Sequence, residues 1–285
     1  MKLFLPKKDE IKSPKAFFLE EDDLLGDLTE KKGTSLFLGK YAMHEVESVL
    51  RKRNFYREAK KRDLWPLMHR MDSSHFPPLQ RLLVYYQKED PDHIIADLKI
   101  REGHCRVKDP ASLIRPFPDS KFLILEWLTL QNPNMEFARD RSPLPGQKHP
   151  GLGLGHKIID LFIYLARINR NDGILAFPAY FHNALLFSRR FQFLNPDKRG
   201  EVQAIRKAFH HVPFKKLAWI VHTNCLIEEG KGTYEWKAEE QVCPISTPLK
   251  RYFESHEYKS RLKQVLRDKK FTINWEKFSR VWKSG

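Results

Sequence analysis

Hydrophobic positions along the chain fall into runs that alternate, runs that recur at helical spacing, and runs apolar throughout. Leu79 to Lys88 is rich in Leu, Val and Tyr, and the turn Glu89-Asp90-Pro91-Asp92 ends it. Ala96, Leu98 and Ile100 then alternate with Asp97, Lys99 and Arg101, the pattern of a half-buried strand. Phe122 to Leu130 is apolar on both faces and predicts a central strand. Ser35 to Leu38 is short enough for a further strand, and Met43 to Phe55 places Val46, Val49, Leu50 and Phe55 on one side of a helix. Residues 56–78 are basic and then turn-rich, and predict a loop.

Downstream, Gly155 to Ile168 has helical spacing and apolar residues on nearly every side, which predicts a buried central helix with Gly173 as its stop. Ile174 to Phe177 predicts a short buried strand, Asn183 to Arg190 a helix, and 196–212 a charged helix. Leu217 to Ile227 is apolar and β-branched, hence a strand, with Thr233 to Val242 as its hairpin partner. Leu249 to Lys269 predicts one basic helix, and Asn274 caps a terminal helix. The organisation is a charged, irregular arm over 1–32, a main domain over 33–195, and an α+β extension over 196–285 packed on the core.

Composition narrows the class. The 285 residues are 41% hydrophobic, which is globular. Lys and Arg number 51 against 36 acidic residues, a balance of +15 that favours an anionic partner: a phosphate-rich cofactor, an acidic protein or nucleic acid. Cys105, Cys225 and Cys243 are few and widely spaced, so a reducing, cytoplasmic setting is expected and a disulfide framework is not. No stretch is apolar for long enough to span a membrane. No His pair has metal-site spacing, so no metal is expected.

One stretch carries candidate chemistry. In Pro150-Gly151-Leu152-Gly153-Leu154-Gly155-His156, three glycines at alternate positions run into the apolar helix. A glycine turn at a helix start exposes backbone N–H groups that suit a phosphate. Its G-x-G-x-G spacing, after a Pro-rich loop over 132–150, departs from the dinucleotide motif G-x-G-x-x-G, and G-K-[ST] is absent. The loop itself is of the kind that forms lids or substrate walls. His149 and His156 flank the glycines as possible bases or phosphate donors.

Strand, glycine loop, buried helix, short strand and helix, in that order, resemble the core of the GNAT acyl-CoA N-acyltransferase superfamily over roughly residues 79–195. That family's loop reads Gln/Arg-Gly-x-Gly-x-Gly/Ala. Gly151, Gly153 and Gly155 match it and Leu154 takes the aliphatic position, while Pro150 replaces Gln or Arg. Asn183, Ala184, Phe187 and Phe193 fit the family's next helix; Ser188 replaces the Tyr that often acts as general acid, and Gln192 replaces a Gly.

The resemblance implies a mixed α/β fold with a mainly antiparallel sheet and a central helix. It also implies acetyl-CoA or another acyl-CoA as cosubstrate and an amine as acceptor. The glycines, Leu154, His156, Asn183 and Phe187, with the backbone of Leu128 and Leu130, would hold the cofactor. Glu126 would be the base, and Tyr180 or Tyr164 would replace the missing acid, Tyr164 being the more core-like of the two. The alternatives are an inactive binding module on the same scaffold and a basic nucleic-acid-binding protein using residues 249–269 and Arg51 to Arg62.

Overall fold

The computed structural model describes residues 36–104, 119–137 and 142–283. The acidic arm over 1–32 and most of the Pro-broken connection before Phe122 lie outside the described residues. The fold is mixed α/β, built on a main sheet of seven strands. Strands β1 (Leu67–Asp72), β2 (Gln80–Tyr86), β3 (Ile94–His104) and β4 (Lys121–Leu130) form an antiparallel meander. Helix α3 (Gly155–Ile168) then carries the chain to β5 (Gly173–Ala176), which lies parallel to β4. The far edge is made by β6 (Gln192–Phe193) and β9 (Gln241–Pro244), with β9 antiparallel to both β5 and β6. The order across the sheet is β1-β2-β3-β4-β5-β9-β6.

β4 occupies the middle because both its faces are apolar. Leu123 and Leu125 join one cluster with α3, while Phe122 and Ile124 join another with Leu249, Tyr252 and Tyr258. In β2 and β3, Leu82, Val84, Ala96, Leu98 and Ile100 face the first cluster, as the alternation predicts. The first cluster is roofed by α1 (Met43–Lys52), α2 (Phe55–Lys60) and α3.

Several expectations are corrected. The run Met43 to Phe55 is two helices, because Asn54 takes a left-handed conformation at φ 62°. Leu36 to Tyr41 forms a tight turn closed by a bridge between Phe37 and Tyr41, with left-handed Leu38 and Gly39, where a strand was expected. The expected loop over 56–78 contains α2 and the edge strand β1, whose polar, half-exposed residues mask its pairing. Helix α3 has one exposed side: Tyr164 and Ile168 are 46% and 45% exposed. Gly173 does not end it. The left-handed residue is Arg170 (φ 56°), and the bonds Asn171 N–H to Ala166 O and Arg170 N–H to Arg167 O close the helix. Gly173 instead begins β5, where a Cβ would lie 2.8 Å from Cys243 O.

The largest correction concerns Leu217 to Ile227. Its first part is helix α6 (Phe214–His222), following α4 (Phe181–Phe187) and α5 (Pro196–Ala208); only Leu226–Glu228 is a strand, β7. Leu217, Ala218, Ile220 and Val221 recur at helical spacing and are all buried. Left-handed Asn224 stops α6, with Cys225 N–H on Ile220 O. β7 pairs with β8 (Gly232–Thr233) and β10 (Phe271–Ile273) in a second, three-stranded sheet.

The expected hairpin forms only at its start, where Thr233 pairs with Ile227 and Tyr234 N–H donates to Leu226 O at 2.8 Å; Gln241 and Val242 lie in β9 of the main sheet, so the chain beyond 196 supplies a strand to the core. The single helix expected over 249–269 is α7 (Thr247–Glu254) and α8 (His256–Asp268), parted by extended Ser255, whose hydroxyl accepts from Tyr258 N–H. The terminal helix α9 (Trp275–Lys283) is capped by Asn274, whose side-chain oxygen accepts from Lys277 N–H at 2.9 Å, as expected.

α5 and α8 meet at Gly200, where a Cβ would lie 2.8 Å from the Val265 side chain. Arg261 of the basic α8 forks onto both carboxylate oxygens of Asp197, each at 2.6 Å. Beneath them lies a buried ionic knot. Lys198 Nζ donates to Glu201 Oε1 at 2.7 Å, Tyr234 OH to the same oxygen at 2.6 Å, and Lys269 Nζ to Oε2 at 2.6 Å. Lys269 also pairs with Glu228 at 3.1 Å. Burial alone would raise the Glu201 carboxyl, but the two lysines and Tyr234 hold it below its ordinary value. Removing that carboxylate takes away the one acidic side chain that Lys198 bonds among the described residues, in a buried site. Glu201→Ala is expected to cost about 3–5 kcal/mol in denaturant unfolding. A loss under about 1 kcal/mol would show that the knot does not tie α5 to the small sheet.

Candidate functional site

The main sheet has one parallel pair, and it opens along its length. Only Phe122 to Leu125 of β4 pair with β5, whose residues end at Ala176. Glu126 to Leu130 run on with β3 on one side and, among the described residues, no strand on the other. The register against β3 skips here: Lys99 aligns with Trp127 and Ile100 with Leu125. Glu126 is the extra residue of this bulge, a device that re-aims a side chain. Its Oε1 accepts from Arg101 Nε at 2.6 Å, and Oε2 has no partner among the described residues.

The glycine stretch sits at this same edge. Asn132 N–H donates to Pro150 O at 2.7 Å, so the chain leaving β4 returns beside its end. From Gly151 to Leu154 exposure alternates. Gly151 and Gly153 are exposed, while Leu152 and Leu154 are 1% and 4% exposed and pin the stretch to the core. Gly153 has φ 69°, which glycine adopts without strain. Gly155 begins α3, and a Cβ there would meet nothing within 4 Å. Leu154 gives no side-chain cap, and the first bond into the helix is Ile158 N–H to Leu154 O. The N–H groups of Gly155, His156 and Lys157 therefore have no intrahelical partner.

A guanidinium stands over this turn. Arg62 Nη2 lies 4.0 Å from where a Cβ on Gly153 would be. Its other nitrogen, Nη1, is held at 2.8 Å by both the backbone oxygen and the carboxylate of Glu58. Hydrogen bonds from Arg62 and Lys61 lower the Glu58 carboxyl to about 2, so it stays ionised and keeps Arg62 oriented. The sequence showed Arg62 only as part of a basic run; its approach to the glycines depends on the bend at Asp63 (φ 56°) that ends α2. His156 is exposed and His149 is half-buried beside them.

The other expected residues are spread more widely. Leu128 and Leu130 are 2% and 4% exposed, their side chains in the first cluster. Asn183 is fully buried in the first turn of α4. Phe187 is buried and stacks on Phe191 at 5.1 Å. Ser188 is exposed and its hydroxyl donates to Leu185 O at 2.7 Å, so it is turned back on its own helix. Tyr164 stands exposed on α3, not in the core.

Tyr180 faces a second place. It precedes α4 and lines a cavity of about 360 Å³ with Pro145, His182, His222, Glu235 and Trp236. Its ring stacks on His182 at 5.3 Å, and its hydroxyl packs on Gly146 (φ 75°), where any Cβ would lie 2.3 Å away. Pro145 of the Pro-rich loop lines this cavity. The loop is pinned to α6 by Lys215 Nζ on Ser142 O at 2.7 Å and Trp219 Nε1 on Pro143 O at 2.8 Å. β4 and β5 are parallel, so the cavity beyond β5 and the glycine turn beyond β4 lie past the same end of the pair, where α/β sheets bind ligands.

His182 is 2% exposed and its ring nitrogens make no hydrogen bond to the described residues. Burial, with His222 nearby, lowers its pKa from 6.5 to about 3, and burial lowers His222 as well. Neutral imidazoles facing a polar cavity can accept a hydrogen bond at neutral pH. Sequence reading missed them because the residues are scattered over 180–236 and meet only through α6, which looked like a strand.

Among the described residues, no three His, Cys, Asp or Glu side chains gather closely enough to hold a metal ion. No described helix is long and apolar enough to cross a membrane. Comparison with known proteins finds no matching family model, no similar curated protein and no similar solved structure.

The depressed pKa of His182 gives a pH signature. The unfolded chain takes up a proton near pH 6.5 and the folded chain only near 3, so stability is lost as pH falls through 6.5. Between pH 7 and 5 this single residue is expected to remove about 2 kcal/mol of unfolding free energy. His182→Gln should flatten that part of the profile. An unchanged slope in the variant would mean His182 is protonated in the fold.

Proposed function

We propose that this chain is an acyl-CoA-dependent N-acyltransferase of GNAT type. The observation that carries the reading is the anion-suited turn at the open end of the β4–β5 pair. There, three unbonded N–H groups at the start of α3, a glycine with no obstruction above it and the guanidinium of Arg62 converge. A pyrophosphate would accept from the turn and from Arg62. The pantetheine arm would then lie beside Glu126 to Leu130, the part of β4 that runs on past β5.

The chemistry is a direct transfer. The amine nitrogen attacks the thioester carbonyl carbon, the tetrahedral intermediate collapses with cleavage of the C–S bond, and an amide and the free thiol of coenzyme A result. The amine must lose a proton, and the departing thiolate must gain one. Glu126 would take the first through a water on its uncommitted Oε2, with Arg101 fixing the carboxylate. Tyr180 would supply the second, since Ser188 is turned onto Leu185. The cavity of Tyr180, His182 and His222 would admit the amine acceptor.

A non-catalytic cofactor-binding module is favoured by two observations: the Glu126–Arg101 pair and the orientation of Ser188. The two readings separate by experiment. Gly155→Trp should reduce acyl-CoA binding at least tenfold in calorimetry with little change in melting temperature, because the position is open where the added side chain would start. Binding that survives this change removes both readings. Glu126→Gln should slow transfer about 10²- to 10⁴-fold while binding stays. An unaltered rate removes Glu126 as the base, and no transfer to any amine by the unaltered protein leaves the binding module.

A further inference from the structure

A second, chemically different cavity lies under α1. It measures about 220 Å³ and is open at one side. Its floor is the sheet face of Val84, Leu98, Leu128 and Leu130, and its roof is Val49 of α1 and Phe162 of α3. The two helices lie on the same sheet face with this gap between them. Closely packed interiors rarely leave such a void. An apolar cavity of about 150 Å³ already stays dry and takes up benzene.

The polar groups of the lining are few. Tyr41 OH donates to Asn169 Oδ1 at 2.6 Å, and the Glu45 carboxylate accepts from Ala42 N–H at 2.8 Å to cap α1. Apart from Tyr41, Glu45 and Tyr164, the lining is hydrocarbon side chains, which offer an occupant neither charge nor hydrogen bond. A ligand that fills the space must present hydrocarbon there. Tyr164 and Ile168 stand exposed at the lip, where an entering chain would cover them. The floor supplies the link to the proposed donor site: Leu128 and Leu130 belong to the part of β4 that runs on past β5.

We infer that this cavity holds the alkyl chain of a fatty-acyl ligand, so that the transferred group is a medium- or long-chain acyl rather than acetyl. The assignment of coenzyme A as the carrier rests on the function proposed above; the hydrocarbon site itself does not.

The test is a calorimetric series on the full chain with acetyl-, octanoyl- and dodecanoyl-CoA, and with free dodecanoate. Affinity is expected to rise with length, approaching about fourfold per buried methylene until the cavity is full. Val49→Trp, which fills the cavity from the helix side, should weaken dodecanoyl-CoA at least tenfold and leave acetyl-CoA unchanged. Val46→Phe is a second, smaller filling should the tryptophan perturb folding. Equal affinity for acetyl- and dodecanoyl-CoA overturns the inference and leaves the coenzyme A reading standing. Dodecanoate binding that Val49→Trp abolishes, with no binding of any CoA ester, upholds the alkyl site and overturns coenzyme A as carrier. Binding of none of the four overturns both.

Discussion

The structure depends on β4 being paired along its whole length on one side and along half of it on the other. Its first residues lock between β3 and β5 with apolar side chains on both faces, which fixes it as the centre of the sheet. Its last residues lose β5. Leu128, Thr129 and Leu130 are nevertheless buried, so other parts of the chain cover this stretch where β5 does not. The crossover from β4 to β5 through α3 then brings the start of α3 to the end of β4 that runs on past β5. The apolar cavity, the glycine turn and the Tyr180 cavity all relate to this one departure of β5 from β4.

Each site draws on a different consequence of it. The glycine turn offers N–H groups because its leucines are buried and its glycines are not, an alternation that holds the turn rigid while leaving its outer face bare. The cavity around His182 is polar because Tyr180, His222, Asn224, Glu235 and Trp236 line it with Pro145. The space under α1 is apolar because α1 and α3 roof the sheet without meeting over it. A phosphate-bearing head, a reactive middle and a hydrocarbon tail are chemically distinct, and each has one surface here that suits it.

The central part of this arrangement was readable from residue pattern. Phe122 to Leu130 has no polar face until Glu126, and Gly155 to Ile168 has strong helical spacing, so β4, the glycine turn and α3 follow directly. What could not be read depends on contacts between distant segments. Edge strand β1 has too few apolar residues to announce itself. α6 carries Trp219, Ile220 and Val221, whose β-branched run suggests a strand, although its buried positions repeat at helical spacing. Four helices end on left-handed Asn54, Asp63, Arg170 and Asn224 where glycine would be the usual signal. Arg62 and His182 lie in ordinary stretches of sequence, and only the turn after α2 and the packing of α6 make them notable. Glu126 was visible as a carboxylate in an apolar strand; its bulge and its bond to Arg101 were not.

The central claim is that the start of α3 binds the phosphates of an acyl-CoA. The most direct measurement is the amide resonances of Gly153, Gly155, His156 and Lys157 in the ¹⁵N-labelled protein during titration with coenzyme A. The account predicts saturable shifts concentrated on these four residues, with the Arg62 guanidinium resonance moving on the same curve. Shifts that avoid this turn, or none at millimolar ligand, would contradict it.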